Sequence, residues 1–176
     1  MDSNGTANAS AFQAIYEADL VPLYIAGELV PSTELEKIPV KSTAQNDKIV
    51  HFASAATVKH AIQACESSHT GFQSWRKTNA VQRRDILNKA ADLILERREE
   101  LVSTMIAETS SARMWADINV SMTASHIKEI ASRITALSGV IPQTKLDYAL
   151  CFREPVGPCL AIPPSVPLSP LLKSLG

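Results

Sequence analysis

The most reactive side-chain type in this 176-residue sequence is the cysteine thiol, and there are three: Cys65, Cys151 and Cys159. A thiolate can attack a carbonyl carbon when a base or a cation lowers the pKa of its thiol. Each cysteine, however, is better explained as a small buried hydrophobe, and Cys159 lies in an apolar run typical of a buried strand. Their odd number and irregular spacing fit neither a disulfide framework nor a metal site. We therefore predict reduced thiols and assign no catalytic residue.

Histidines and carboxylates give no stronger signal. The four histidines are scattered over segments that need not meet: His51, His60, His69 and His126. Because none is spaced from another as metal ligands are, we predict no metal site. Three glutamates lie between arginines and indicate a solvated, salt-bridged face: Glu96, Glu99 and Glu100. The sequence also lacks a glycine-rich phosphate loop of the dinucleotide or Walker type.

Composition excludes several classes of partner. The formal net charge is -1 and the 17 basic residues are spread along the chain, so we expect no nucleic-acid binding. No stretch reaches 18 apolar residues, and residues 1–10 do not resemble a secretory signal, so we expect no membrane segment and a cytoplasmic location. The apolar fraction of 45% and charged fraction of 20% are those of an ordinary globular protein.

The elements that would position any site begin with extended segments. Two β-rich runs within residues 23–30 flank Ala26-Gly27 and predict a hairpin. A third extended run covers residues 49–52 and ends at Ser54. After Thr57, which can cap a helix, apolar residues recur at helical spacing at Val58, Ala61, Ile62 and Cys65. A break at Thr70-Gly71 is expected to end this helix.

Three more helices are predicted, over about residues 80–94, 99–109 and 111–137. The last is expected to stop near Gly139, with Pro142 soon after. Its core face is predicted from its large apolar residues, which are Trp115, Ile118, Met122, Ile127, Ile130, Ile134 and Leu137.

The C-terminal part of the sequence turns extended again. Residues 148–153 alternate, residues 154–157 predict a turn, and the continuous apolar run 158–162 predicts a strand of a parallel sheet buried on both faces. Four prolines within residues 163–170 exclude a helix or a central strand there. We expect an α/β fold, mostly helical, with an opening hairpin and an incomplete parallel sheet. The predicted division is a disordered leader at 1–19, a partial domain at 20–162 and a divergent proline-rich tail at 163–176.

Several motifs between residues 23 and 162 resemble, in order and spacing, the N-terminal section of the aldehyde dehydrogenase superfamily. They are Leu23-Tyr24-Ile25-Ala26-Gly27-Glu28, Phe72-Gln73-Ser74-Trp75-Arg76-Lys77-Thr78, the helix Arg83-Arg84-Asp85-Ile86-Leu87-Asn88-Lys89-Ala90-Ala91-Asp92-Leu93, Ala107-Glu108-Thr109, and Arg153-Glu154-Pro155-Val156-Gly157. The sequence is most similar in character to the fungal branch that handles aromatic aldehydes such as salicylaldehyde or vanillin.

The resemblance implies part of a Rossmann-like coenzyme domain, with NAD or NADP as cofactor. In that family a cysteine thiolate attacks the aldehyde, hydride passes to NAD(P)+, and water activated by a glutamate releases the acid. An asparagine side chain holds the developing oxyanion. Three residues of this sequence would lie at the rim of the coenzyme site, which are Ile162, Pro163 and Pro164.

One departure from the family pattern bears on activity. The family signature Ile-x-Pro-Trp-Asn-x-Pro-Leu is replaced by Ile162-Pro163-Pro164-Ser165-Val166-Pro167-Leu168, one residue shorter and without the asparagine. The resemblance places the nucleophilic cysteine and the base glutamate further downstream, and neither Cys151 nor Cys159 corresponds to that nucleophile. We therefore expect a truncated, inactive family member that binds coenzyme weakly or not at all.

Two alternatives stay open at this point. The chain could be a non-catalytic protein that binds a full-length aldehyde dehydrogenase through an uncovered apolar surface. It could instead be a non-functional relic in a biosynthetic gene cluster of secondary metabolism. Missing sheet neighbours around residues 159–162 would leave an exposed edge, so we expect a marginal or chaperone-dependent fold.

Overall fold

The computed structural model describes residues 20–30, 36–143, 145 and 149–162. These residues form two small sheets followed by four α-helices. The predicted leader, residues 1–19, and the predicted tail, residues 163–176, lie outside the described residues. The described part is an α/β arrangement dominated by helices, as the sequence predicts.

The first sheet is the predicted hairpin of β2 (Leu23–Ile25) and β3 (Glu28–Val30). The strands are antiparallel, with Leu23 opposite Val30. Ala26 and Gly27 form the turn with positive φ angles of 59° and 85°. Two consecutive residues of positive φ give a turn whose twist matches that of the flanking strands. The hairpin prediction is confirmed.

The second sheet contains β1 (Leu20–Val21), β4 (Lys37–Ser42) and β5 (Lys48–Ser54), in the order β1-β5-β4. β1 runs parallel to β5, and β4 runs antiparallel to it with a register shift between Val40 and Lys41. β5 contains the predicted extended run at residues 49–52. β1 and β4 were not predicted, because β1 is two residues long and β4 mixes lysine and proline with its apolar residues.

The first helix, α1 (Val58–Trp75), starts where the sequence predicts but does not break at residues 70–71. At its start the backbone N–H of Thr57 donates to Nδ1 of His60 at 3.2 Å. The predicted break is wrong because a helical glycine costs only about 1 kcal/mol, which the flanking turns tolerate. The stripe of Val58, Ile62 and Cys65 faces solvent, and α1 has no fully buried residue.

The next three helices confirm the sequence prediction: α2 (Ala80–Glu96), α3 (Arg98–Thr109) and α4 (Arg113–Arg133), which continues into a short 3-10 turn, Ile134–Ala136. Asn79 caps α2, since its Oδ1 accepts from the backbone N–H of Gln82 at 2.8 Å. The Gln82 side chain accepts in return from the N–H of Asn79 at 3.1 Å. This reciprocal capping box fixes the start of α2.

The hydrophobic core lies among α2, α3 and α4. Its members are Ala91, Ile94, Leu101, Val102, Met105, Ala116, Val120 and Ala124, with Ile106 and Ile127 packed against them. Three of the buried residues come from α3, and α4 is the helix that packs against both α2 and α3. The second sheet is joined to this core through contacts of β4 and β5 with α3, whereas the hairpin contacts α1.

The predicted core face of α4 is correct for Ile127, which packs against the core, and wrong for most of its other residues. Trp115, Ile118 and Met122 are 49%, 40% and 49% exposed, whereas Ala116, Val120 and Ala124 are buried. These three smaller residues recur every four positions and form a narrow stripe, which lets α2 and α3 approach the α4 backbone closely. The larger side chains consequently point outward. Ile130 and Leu137 are also exposed.

The strand predicted at residues 158–162 is also wrong for the part of the chain that the structure describes. An antiparallel bridge between Val140 and Cys151 ends the regular pairing, and residues 152–162 form no strand. Gly139 is required beside this bridge, because a Cβ there would lie 2.7 Å from the Cys151 carbonyl oxygen. A strand needs a neighbour to satisfy its backbone groups, and none among the described residues reaches this segment.

Candidate functional site

Only one residue of the predicted rim of a coenzyme site, Ile162, lies within the described part of the chain. Ile162 is 83% exposed at the end of an unpaired segment, and Pro163 and Pro164 lie outside the described residues. A dinucleotide requires a crevice and backbone N–H groups directed at its phosphates. The described residues around Ile162 provide neither, so they do not fit NAD(P)+ by themselves.

The three cysteines lie in exposed positions, which corrects the prediction that they are buried. All three are free thiols. The Cys159 thiol donates to the carbonyl oxygen of Gly157 at 3.7 Å, a contact that supplies no base to remove its proton. Exposure alone does not activate a thiol, so none of the three is identified as a nucleophile.

Metal-ligand chemistry is also absent from the described ranges. Across residues 20–30, 36–143, 145 and 149–162, no group of three or more histidine, cysteine, aspartate or glutamate side chains could hold a metal ion. Among those same residues, no helix combines the length and the apolar character that crossing a bilayer requires.

The most site-like feature is an open depression of about 530 Å³ between the start of α3 and the first half of α4. Its lining residues are Arg98, Arg113, Met114, Asp117, Ile118, Ser121 and Met122. Three of them are spaced four residues apart along α4, which puts Met114, Ile118 and Met122 on adjacent turns of one face. The depression therefore has an apolar wall and a charged rim.

The charged rim is a network of ion pairs. Asp117 accepts from Arg98 Nε at 3.0 Å and lies 3.6 Å from Arg113 Nε. Arg113 also donates through Nη2 to both carboxylate oxygens of Glu99, at 2.8 and 2.7 Å. The hydrogen bonds to Glu99, together with the charges of Glu99 and Asp117, raise the pKa of the Arg113 guanidinium. With the bidentate pair of Arg97 and Glu100, the contacts confirm the predicted salt-bridged face for Glu99 and Glu100.

This depression can bind an apolar group but has no catalytic constellation. Ser121 is the only lining hydroxyl, and it donates to the Asp117 carbonyl oxygen at 2.9 Å. Nucleophilic catalysis requires a base within hydrogen-bond reach of the nucleophile, and no lining residue supplies one to Ser121. Sequence reasoning missed the depression because it assigned Ile118 and Met122 to the core.

Residues of the Ala107-Glu108-Thr109 motif perform structural roles here. Oε1 of Glu108 lies 3.1 Å from Nε2 of His51 on β5, and both side chains are largely buried. This contact does not meet hydrogen-bond geometry, but it brings the two groups together between sheet and helix. Just after the motif, the Ser110 hydroxyl accepts from the backbone N–H of Ala44 at 2.8 Å. The end of α3 is thus fastened to the second sheet.

Large apolar side chains remain uncovered on one side of α4. We call Met114, Trp115, Ile118 and Met122 the α4 outer face; Met114 is 73% exposed. Soluble monomers rarely expose a contiguous apolar surface of this kind unless it binds something. The residues of the depression and those of the α4 outer face overlap, so both belong to one surface.

Comparisons with known proteins are consistent with this arrangement being part of a larger fold. The family model described as the aldehyde dehydrogenase family matches residues 29–168. The chain is 29% identical over 144 residues to a salicylaldehyde dehydrogenase of Pseudomonas putida, covering 81% of this chain and 30% of that protein. It is 30% identical over 146 residues to a vanillin dehydrogenase of Pseudomonas fluorescens, covering 82% of this chain and 30% of that protein.

A solved structure shows the same relationship. A salicylaldehyde dehydrogenase from Pseudomonas putida, complexed with salicylaldehyde, superimposes with a TM-score of 0.73 at 25% sequence identity. The match covers 78% of this chain and 29% of that chain. The chain therefore spans somewhat under a third of the length of these relatives. Because the family model matches most of its residues, the chain belongs to the aldehyde dehydrogenase family.

Proposed function

We propose that this chain supplies one section of an NAD(P)+-dependent aldehyde dehydrogenase for aromatic aldehydes, and that residues 1–176 alone do not oxidise aldehydes. Support for the substrate class comes from the salicylaldehyde and vanillin dehydrogenases to which the chain is similar. The observation that carries the inactivity is that Cys65, Cys151 and Cys159 are exposed free thiols, and that the Cys159 thiol contacts a carbonyl oxygen, which is not a base.

The α4 outer face gives this section a role in the complete enzyme. Its thioether and aliphatic side chains offer an apolar wall that can bind one side of an aromatic ring. The cofactor, when bound, accepts hydride from the substrate; the residues of this chain bind and orient the ring and exclude water. A cytoplasmic location, a role in secondary metabolism and the fungal branch stay predictions from sequence.

An activity assay on the purified chain tests this proposal. NAD+ and NADP+ reduction is followed at 340 nm with salicylaldehyde, vanillin and an aliphatic aldehyde, while calorimetry measures coenzyme binding. We expect a folded protein by circular dichroism with no turnover above the protein-free background and no coenzyme binding. Turnover that disappears in one Cys→Ser variant contradicts the proposal, because it identifies a nucleophile among Cys65, Cys151 and Cys159.

A second candidate function is a non-catalytic protein that binds a full-length aldehyde dehydrogenase. The exposed apolar side chains of the α4 outer face favour it, since such surfaces mark partners. A pull-down with intact salicylaldehyde dehydrogenase tests this idea. Capture of the intact enzyme by this chain supports it. A soluble chain that captures nothing contradicts it and favours the hypothesis of a non-functional relic.

A further inference from the structure

The turn between α3 and α4 contains a residue in an uncommon backbone conformation. α3 ends at Thr109 and α4 begins at Arg113, so only residues 110–112 join the two helices. Ser110 has a φ of 57° and a ψ of 25°, in the left-handed region that residues other than glycine seldom occupy. Such backbone strain persists only where the surrounding structure holds it in place. The conformation of Ser110 therefore requires contacts that fix the turn.

The side chain of Ser110 provides these contacts. Its Oγ accepts from the backbone N–H of Ala44 at 2.8 Å and lies 3.4 Å from Oγ of Ser42. Ala44 belongs to the 3-10 turn Thr43–Gln45 between β4 and β5. Ser42 is the last residue of β4 and is 1% exposed. The hydroxyl of Ser110 thus ties the turn into α4 to the second sheet.

The first turn of α4 has few restraints of its own. Ala112 occupies its N-cap position, and alanine has no side-chain acceptor for the first N–H groups of the helix. The ion pair of Arg113 with Glu99 also reaches this turn, but these two side chains are 59% and 70% exposed. Exposed ion pairs contribute little and are screened by salt. The position of the first turn therefore depends on the residues that precede it.

A displacement at the start of α4 moves the α4 outer face as a unit. Met114, Ile118 and Met122 lie on successive turns of one face, so rotation of the helix turns all three side chains together. On the buried side, the same stretch of α4 packs through the small residues Ala116 and Val120. Small side chains form shallow ridges that interlock less with a neighbouring helix than large ones do. The turn before α4 consequently controls the direction in which its outer face points.

We propose that Ser110 is a positioning residue, which orients the α4 outer face for an aromatic ring through the hydrogen bond from the Ala44 N–H to its hydroxyl. This inference rests on the proposed function for its ligand, the aromatic ring. Ser110 is not among the residues that line the depression, so it acts through the position of α4 and not by contact with the ring. Because the position of α4 is measured without a ligand, the two proposals fail separately.

The variant Ser110→Gly separates positioning from folding. Glycine adopts a positive φ without strain, which offsets the loss of one hydrogen bond. We therefore expect a thermal midpoint within about 3 °C of the unaltered chain by circular dichroism. Nuclear magnetic resonance of labelled methionine methyl groups reports the helix position, since Met122 lies on the α4 outer face and Met105 lies in the core. We expect the Met122 signal to shift or broaden in Ser110→Gly, while the Met105 signal stays in place.

Ring binding is measured on the same methyl signals. The probe is benzyl alcohol, an aromatic compound that forms no imine with lysine side chains. In the unaltered chain, titration should shift the signals of Met114 and Met122. In Ser110→Gly, we expect the Kd for benzyl alcohol to rise about threefold or more, because a site loosens when the residues that support it are lost.

Asn79→Ala is the control for an effect of stability alone. It removes the cap of α2 and lowers the thermal midpoint without altering the turn into α4. We expect its Met122 signal to coincide with that of the unaltered chain and its Kd to stay within about twofold.

Two outcomes overturn the role of Ser110. One is a Met122 signal in Ser110→Gly that coincides with that of the unaltered chain. The other is an equal change of the Met122 signal in Asn79→Ala, because it assigns the effect to stability. An unaltered chain whose methyl signals do not respond to benzyl alcohol counts against ring binding in the proposed function, and the ligand-free spectra then decide the role of Ser110.

Discussion

Replacing Met105 by alanine tests whether the hydrophobic core is the one observed in the structure or the one predicted from the large apolar residues of α4. Met105 is 0% exposed at the centre of the cluster of α2, α3 and α4. Truncating a fully buried methionine removes the favourable transfer of its side chain from water and leaves a cavity. Together these effects lower the free energy of unfolding by about 2–5 kcal/mol. With a urea slope of about 2 kcal/mol per molar, a loss of about 3 kcal/mol lowers the unfolding midpoint by about 1.5 M. Urea denaturation followed by far-ultraviolet circular dichroism measures this shift.

Met122→Ala is the matched control for Met105→Ala. The side chain of Met122 is 49% exposed, so the same chemical change there removes few buried contacts and costs about 0.5 kcal/mol or less. The reasoning is refuted if Met122→Ala lowers the midpoint as much as Met105→Ala. That result would mean that α4 presents its large residues to the core, as the sequence alone indicates.

Three further variants test local features. Asn79→Ala removes the cap of α2 and is expected to cost about 0.5–2 kcal/mol, measured as a lower thermal midpoint. Gly139→Ala forces the Cys151 carbonyl away, so the amide protons of the Val140–Cys151 bridge should exchange faster while those of the helical core are unchanged. Bridge exchange rates equal to those of the unaltered protein would contradict the close approach. Glu108→Ala should destabilise the protein by about 1–3 kcal/mol because the buried neighbour of His51 is lost, whereas Glu129→Ala, on the exposed face of α4, should cost less than about 0.5 kcal/mol.

The sequence was sufficient wherever local chemistry decides the structure. Ala26-Gly27 between two β-rich runs predicts the hairpin because the turn needs consecutive positive φ angles. The start of α1 was likewise predicted from Thr57, and helices α2 and α3 from apolar spacing. In each case the decisive interactions lie within a few residues of one another.

The orientation of α4 could not be read from hydrophobicity, because both of its faces are apolar. Large residues at 115, 118 and 122 favour one face as core, and smaller ones at 116, 120 and 124 favour the other. The face of α4 that becomes buried is decided by the close approach of α2 and α3, which is a tertiary effect. The four-residue recurrence of Ala116, Val120 and Ala124 was the available signal.

The strand prediction at residues 158–162 failed for a different reason. A continuous apolar run predicts a buried strand only when strands are present to bury it, and no described strand lies beside residues 158–162. Ile162, at the end of this run, is solvated in this structure, and its place at a coenzyme rim stays a prediction. The depression beside α4 was missed because a surface of this kind exists only once the helices are packed.

The absence of any fully buried residue in α1 has a consequence for motion. Eighteen residues of helix are held mainly by their own backbone hydrogen bonds, while α2, α3 and α4 share one core. Local opening of a segment costs free energy in proportion to the apolar contacts it breaks. The amide protons of α1 should therefore exchange with solvent through small, frequent openings, whereas those around Met105 exchange only when the helical cluster unfolds as a unit. Among the four helices, α1 is then expected to open more readily than the cluster of α2, α3 and α4.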